Sequence, residues 1–368
     1  MSIEERCCPE GAVEPRFEPV RDVFTAVLRE QRGTGAAVAV WHDGRWIVDL
    51  WGGGANAEGT RPWQQDSIVQ PYSVTKPFAA MCALLLTDRG SLDLDAPMQR
   101  YWPEFTARAT VRHVLSHQAG VVALDAPTPT DAFYDWDRMC ALLAAQRPQW
   151  PPGTAHGESA LFYGHLVGEL VRRVDGRSLG RFLGDEVCGP LGLDFIVGLT
   201  PEEQARAVDL TCFDDLEGAT KAELYRRATE NPPGSRDPTV VNSAAWRAAE
   251  IPAINGHGTA RGVAGLYVAL LRGELLSPAL FREATSAQCS GVDAVFNHRN
   301  AWGLGFALDD EGFGMGGTGG SYGGACSRSG YAIAFVTGTM GSHTRGERVE
   351  NALRGCLGLL PLSAASST

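Results

Sequence analysis

The chain has no cluster of basic residues, no long apolar run and no paired cysteines, and each absence removes a class of function. Lysine and arginine total 32 against 43 aspartates and glutamates, a formal charge of −11 over 368 residues. A surface that binds nucleic acid needs a strong basic patch to meet phosphate, and no run of Lys and Arg provides one. The longest apolar run, Phe78 to Leu86, is far short of the ~20 residues that span a bilayer. The N-terminus, MSIEERCCPEGAVEPRF, lacks the basic start and apolar region of a secretory signal. A cytoplasmic protein without nucleic-acid or membrane partners is therefore expected. The nine cysteines are odd in number and scattered, with no C-x-x-C pair, so neither a disulfide framework nor a zinc site is indicated. Most should be small core residues, with Cys7 and Cys8 the exception. No H-E-x-x-H and no carboxylate–histidine cluster points to a metal. The stretch GMGGTGG (314–320) lacks the G-K-[ST] ending of a phosphate loop. No metal or cofactor is expected.

What is present is an ordinary globular composition, 44% hydrophobic and 20% charged. Val20, Phe24, Val27 and Leu28 fall at helical spacing within 17–31. Two β-rich runs then flank His42-Asp43-Gly44-Arg45, and Asp-Gly is a strong hairpin signal. From Ser73 to about Leu199 the pattern is helical, with segments near 110–117, 136–146, 161–174 and 179–187, and a further helix lies within 255–272. The chain then returns to strands and closes with a helix over 345–359. The simplest assembly is α+β: an antiparallel sheet made from both ends of the chain, flanked by N- and C-terminal helices, with a helical domain inserted. The boundaries predicted are a flexible tail over 1–16, a sheet domain over 17–70 and 251–368, and the inserted helical domain over 71–250.

Chemistry enters at residues 72–78, YSVTKPF. Ser73 and Lys76 stand three apart at the start of an apolar helix, so both lie on one helix face. A serine hydroxyl needs a base to become a nucleophile. A desolvated lysine can be that base, and the serine's own N–H at a helix start can meet a developing oxyanion. Alone, S-x-x-K is a weak motif, because an N-capping serine beside a solvated lysine has the same form.

The context is more specific. Besides YSVTKPF, the stretches VRHVLSHQAG (111–120), YDWDRMCALLA (134–144), ELVRRVDGRSLGRF (169–182), GPLGL (189–193), NGHGTARG (255–262), WGLGF (302–306) and FGMGGTGGSYG (313–323) occur in order. From about Phe17 to Leu360 the chain resembles the serine β-lactamase and penicillin-binding-protein superfamily, in its cytosolic family VIII carboxylesterase branch. The resemblance implies the β-lactamase/DD-peptidase-like fold and an acyl-enzyme on Ser73. It also implies Lys76 as a proton carrier and an oxyanion hole formed by the N–H groups of Ser73 and Thr318.

Two departures stand out against that family. Its helical domain carries a tyrosine that helps move protons, in a stretch like H-G-Y-H-A-L-x-x-G. Here the stretch reads His156-Gly157-Glu158-Ser159-Ala160-Leu161-Phe162-Tyr163-Gly164, with Glu158 at the tyrosine's position. Tyr163-Gly164-His165 imitates the Y-x-N outline only superficially, five residues later and out of register, and Tyr163 is kept as a candidate for substrate binding. The second station, K-T-G or H-x-G on a strand, reads Met315-Gly316-Gly317, which replaces the cation or imidazole with a soft side chain. Met315, Gly316, Gly317 and Tyr72 are the remaining substrate-binding candidates. A carboxylate beside Lys76 should raise the lysine's pKa. Glu158 is then a candidate base in its own right, provided burial lifts its pKa.

Other polar residues are weighed as structural: His117 in its short helix, and His257 as a cap or orienter of a helix start. Trp51, Trp136, Trp150 and Trp302 could line an acyl pocket, although most buried aromatics are core. Two functions remain open. One is a serine hydrolase or acyltransferase acting on a small ester, thioester or amide, specialised for a natural product. The other is a binding protein that keeps the fold without turnover.

Overall fold

The computed structural model describes residues 8–216 and 222–362. Strand β1 (Glu10–Val13) precedes helix α1 (Glu18–Glu30), whose buried residues are Val20, Phe24, Val27 and Leu28. That is the stripe read in the sequence, and it faces the sheet. Strands β2 (Ala36–His42) and β3 (Arg45–Gly52) form an antiparallel hairpin. It turns at Asp43 and Gly44, both at positive φ (50° and 81°), as a tight hairpin turn requires.

The helical part follows, with α2 (Thr75–Asp88), α3 (Val111–Leu115), α4 (Trp136–Ala145) and α5 (Tyr163–Asp175) among its elements. Two short strands, β4 (Phe195–Ile196) and β5 (His257–Gly258), pair with each other, and α6 (Ala260–Leu271) comes next. The chain then runs through β6 (Cys289–Val292), β7 (Arg299–Trp302), β8 (Ala307–Leu308), β9 (Gly312–Gly316), β10 (Tyr322–Cys326) and β11 (Tyr331–Thr337), and ends in α7 (Thr344–Leu357). The main sheet is antiparallel throughout, in the order β1-β3-β2-β11-β10-β9-β8-β7-β6. The two ends of the chain meet where β2 pairs with β11.

Alternation along β2 and β11 assigns side chains to two cores. Val38, Val40, Ile333 and Phe335 face α1 and α7, joining Phe24, Val27, Val349 and Leu353. Ala37, Ala39, Ala332 and Ala334 face the other way, into a larger core shared with α2, α5 and α6. Alanines on that face let α6 approach the strands closely. Helix α2 is buried on every side from Thr75 to Leu86. A helix apolar all round belongs in an interior. No helix among the described residues is long and apolar enough to cross a membrane.

One expected boundary is corrected. Residues 10–13, assigned to a flexible tail over 1–16, form an edge strand that pairs with β3 from Glu10↔Trp51 to Val13↔Val48. The segment Glu-Gly-Ala-Val is almost wholly exposed, so it carries no apolar alternation to announce a strand. Cys8 is exposed and Cys7 lies outside the described residues, whereas Cys82, Cys140, Cys188 and Cys326 are buried.

Candidate active site

Ser73 sits in a single tight turn, Tyr72–Val74, that feeds directly into α2. Tyr72 has φ +48°. For a bulky residue this is a real outlier, of the kind that surrounding contacts must hold in place. They do so on both sides. The Tyr72 carbonyl accepts from Thr75 Oγ1 at 2.6 Å, and its hydroxyl donates to the Ser235 carbonyl at 2.8 Å. Thr75 Oγ1 in turn accepts from the Gly256 N–H at 3.1 Å. Pro77 falls in the first turn of α2, where its missing N–H costs little.

Three side chains meet at this turn. Lys76 Nζ donates to Ser73 Oγ at 2.7 Å and lies 2.9 Å from Glu158 Oε1. Ser73 Oγ donates to the same Glu158 oxygen at 3.3 Å. Lys76 also reaches the Ala253 carbonyl at a longer 3.4 Å. Gly164 in α5 makes that approach possible: a Cβ there would stand 2.2 Å from the Pro252 carbonyl carbon. The loop carrying Glu158 is held by backbone bonds, with Gly157 N–H donating to His117 O at 3.0 Å and Ser159 N–H to His117 Nδ1 at 3.1 Å.

Electrostatics follow from burial. Lys76 is 0% exposed, and desolvation pushes its ammonium below the ordinary lysine value while Glu158 pulls it back up. The expectation that the carboxylate would raise the lysine is right for that one interaction, but burial is the larger effect. Glu158 is 14% exposed at its side chain, so the cluster opens towards solvent on that side. His117 is buried and held well below the usual imidazole range, first by desolvation and then by the charge of Lys76. Its Nδ1 accepts the Ser159 amide, so its role here is to fix the loop.

The glycines at and just after the end of β9 lie beside Ser73. A Cβ on Gly317 would stand 2.0 Å from the Pro71 carbonyl oxygen and 3.3 Å from Ser73 N. Only glycine permits that contact. Gly317 N–H donates to Ser321 O at 2.8 Å, and Gly320 N–H donates to Gly317 O at 3.1 Å, closing a turn that holds the half-buried Thr318. Met315 is buried in β9 and Gly316 is exposed at its end. An imidazole does approach this strand, from α7: a Cβ on Gly316 would lie 3.0 Å from His343 Nε2. The Met315 position gave no hint of it.

Two candidates are displaced from the binding surface. Tyr163 is fully buried, with its hydroxyl donating to Leu115 O at 3.2 Å and its ring 4.7 Å from that of His117. It opens α5 on the core side, so a Y-x-N outline in its register has no access to substrate. Tyr72 is 3% exposed and its hydroxyl is taken by Ser235, so it braces the Ser73 turn from within. Trp302 and Trp136 are likewise occupied, Trp302 against His117 at 4.2 Å and Trp136 donating to Glu169 at 2.9 Å. Trp150 borders the Glu158 loop, since a Cβ on Gly157 would meet its ring at 2.8 Å. His257 is buried in β5 and does not cap α6; Thr259 does, by accepting from Gly262 N–H.

Sequence reasoning missed Asp293, a fully buried carboxylate that accepts the Glu158 N–H at 3.0 Å. It also passed over a signal that was available. The chain has two lysines, Lys76 and Lys221, among its 32 basic residues, so a lysine is itself unusual here.

Known proteins match along nearly the whole chain. The Beta-lactamase family model matches residues 20–355. The esterase/beta-lactamase LipL of Mycobacterium tuberculosis is 32% identical over 356 residues, covering 89% of this chain and 82% of that protein. The crystal structure of a family VIII carboxylesterase superposes with a TM-score of 0.87 at 35% identity, over 95% of this chain and 99% of that one. A penicillin-binding protein homologue from Caulobacter crescentus gives 0.88 at 34% identity, over the same shares. With this fold, and a serine and lysine one helical turn apart at the head of its buried helix, the chain belongs to the beta-lactamase family.

Proposed function

We propose that the protein is an esterase-type serine hydrolase that cleaves small esters, thioesters or amides through an acyl-enzyme on Ser73. The observation that carries this reading is the single oxygen, Glu158 Oε1, within hydrogen-bond reach of both Ser73 Oγ and Lys76 Nζ. The similarity to an esterase/beta-lactamase and to a family VIII carboxylesterase supports it.

In this reading Ser73 Oγ attacks the substrate carbonyl carbon and its proton passes to Glu158. Lys76, donating to the same Oγ, stabilises the alkoxide as it forms. The N–H groups of Ser73 and Thr318 meet the oxyanion. Collapse of the tetrahedral adduct expels the leaving alcohol, thiol or amine, which takes the proton back from Glu158. Water then attacks the acyl-enzyme with the same proton path in reverse and frees the acid. An acceptor alcohol or amine in place of water would make the same site an acyltransferase, and specialisation for a natural-product substrate belongs to this reading. A cytoplasmic setting belongs to this reading too.

Pre-steady-state kinetics with p-nitrophenyl acetate test the proposal. A burst of nitrophenolate equal to the enzyme concentration, absent in Ser73→Ala, is expected. Added alcohols that divert the acyl group without changing the burst would indicate transfer. A folded wild-type protein with no burst and no turnover on esters or thioesters would favour a binding protein without catalysis.

A further inference from the structure

Outside the three side chains of the cluster, a buried carboxylate bonds directly to the Glu158 loop: Asp293, in the turn between β6 and β7. It is 0% exposed, and both oxygens are used twice. Oδ1 accepts from the N–H groups of Val295 at 2.8 Å and Phe296 at 2.9 Å. Oδ2 accepts from the Glu158 N–H at 3.0 Å and from Asn300 Nδ2 at 3.1 Å. A buried carboxylate persists only where its hydrogen bonds offset desolvation.

The two oxygens do different jobs. The Oδ1 bonds shape the hairpin's own turn, and an asparagine would make them equally well. The Oδ2 bonds need a second acceptor, which only a carboxylate has, and one of them crosses to the loop that carries Glu158. Two further bonds lace the same hairpin to that loop: His156 Nε2 with Asn300 Oδ1 at 2.8 Å, and Ala294 N–H to His156 O at 2.9 Å. On the opposite side His117 accepts the Gly157 and Ser159 amides. Three consecutive amides, 157 to 159, thus point alternately to two fixed walls. Only the Glu158 amide points to the Asp293 side.

We propose that Asp293 is a positioning residue that sets the backbone of Glu158, and through it the distance from Glu158 Oε1 to Ser73 and Lys76. The inference rests on the reading of Glu158 as proton acceptor. A base displaced by about an ångström can lose about 10²-fold in rate, so the clamp matters at that scale.

The test compares Asp293→Asn, the swap Asp293→Asn/Asn300→Asp, and Glu158→Gln. Two quantities are read: the rate of Ser73 acylation by p-nitrophenyl acetate, and residue-resolved amide exchange at Glu158. Asp293→Asn should slow acylation by about 10²-fold and speed exchange at Glu158. The swap restores a carboxylate–carboxamide bond between 293 and 300, but leaves an NH2 group facing the Glu158 N–H. It should regain thermal stability without regaining acylation. Recovery of both together would overturn the proposal, since a purely structural bond would then suffice. Wild-type acylation in Asp293→Asn would also overturn it. Should Asp293→Asn and the swap both fail to fold, wild-type exchange decides: the Glu158 amide should be protected like a core amide, and rapid exchange overturns the clamp. If Glu158→Gln acylates at the wild-type rate, it is the role of Glu158 itself that fails, whatever its amide does.

Discussion

Lys76 Nζ and Glu158 Oε1 lie 2.9 Å apart, and both reach the hydroxyl of Ser73. A lysine this deeply buried is pushed towards its neutral form, and the carboxylate holds it back. In the proposed reaction this contact would set the lysine beside the forming alkoxide and the carboxylate within reach of the serine proton.

Removing the carboxylate leaves burial unopposed. In Glu158→Gln the Lys76 pKa should fall further, because the charge and hydrogen bond that oppose desolvation are gone. Nζ chemical shifts followed by 15N NMR check this, and the chain's two lysines make assignment simple once Lys221→Arg is compared. In wild type Lys76 should titrate below the ordinary 10.5. Residual activity in the variant, which needs a neutral lysine as base, should have its pH limb moved in the acid direction. A limb that moves to higher pH would contradict the assignment.

Gly317, just after β9, lies against the turn that carries Ser73. In Gly317→Ala the new methyl group would start 2.0 Å from the Pro71 carbonyl oxygen and must push strand and turn apart. Turnover should fall by about 10²–10³-fold, the scale of losing one oxyanion donor, with KM much less affected. Unchanged kcat would mean that Thr318 contributes no oxyanion donor.

Acid should destabilise the fold through two buried histidines outside the Ser73–Lys76–Glu158 cluster. His165 and His257 are buried, and desolvation lowers each to about 3. Their folded-state values lie below the unfolded value near 6.5, so the unfolded chain binds more protons between those limits. Stability is then full above about pH 6.5 and is lost as pH falls towards 3, by about 1.4 kcal/mol per pH unit for each histidine. Among the described residues neither ring nitrogen of His165 has a partner, so an apolar replacement loses no hydrogen bond seen there. In His165→Leu, the slope of unfolding free energy against pH between 6 and 4 should drop by one proton. An unchanged slope would show that His165 is not buried neutral.

Much of this was legible because the signals are local. The stripe of α1, the Asp-Gly turn of the first hairpin and the Ser73–Lys76 spacing all lie within a few residues, where helix and strand periodicity act. Glu158 was found by its place in a family stretch, and the geometry brings it to the pair. Asp293 was not found, because its partner Glu158 is 135 residues away and a lone Asp in a turn looks like any other turn residue. Tyr163 misled for the opposite reason. Its local outline matched a functional motif, but only packing decides which face of α5 meets the core. Strand β1 was missed because three exposed residues and a half-buried valine at a sheet edge carry no pattern.

The most direct test of the account is intact-protein mass after exposure to a fluorophosphonate, for wild type, Ser73→Ala, Lys76→Ala and Glu158→Gln. Wild type should gain one adduct, mapped to Ser73, and Ser73→Ala none. The Lys76 and Glu158 variants should label about 10²–10⁴-fold more slowly, the range for losing a proton-transfer group. A folded wild-type protein that stays unmodified, or a Glu158→Gln protein that labels at the wild-type rate, would contradict it.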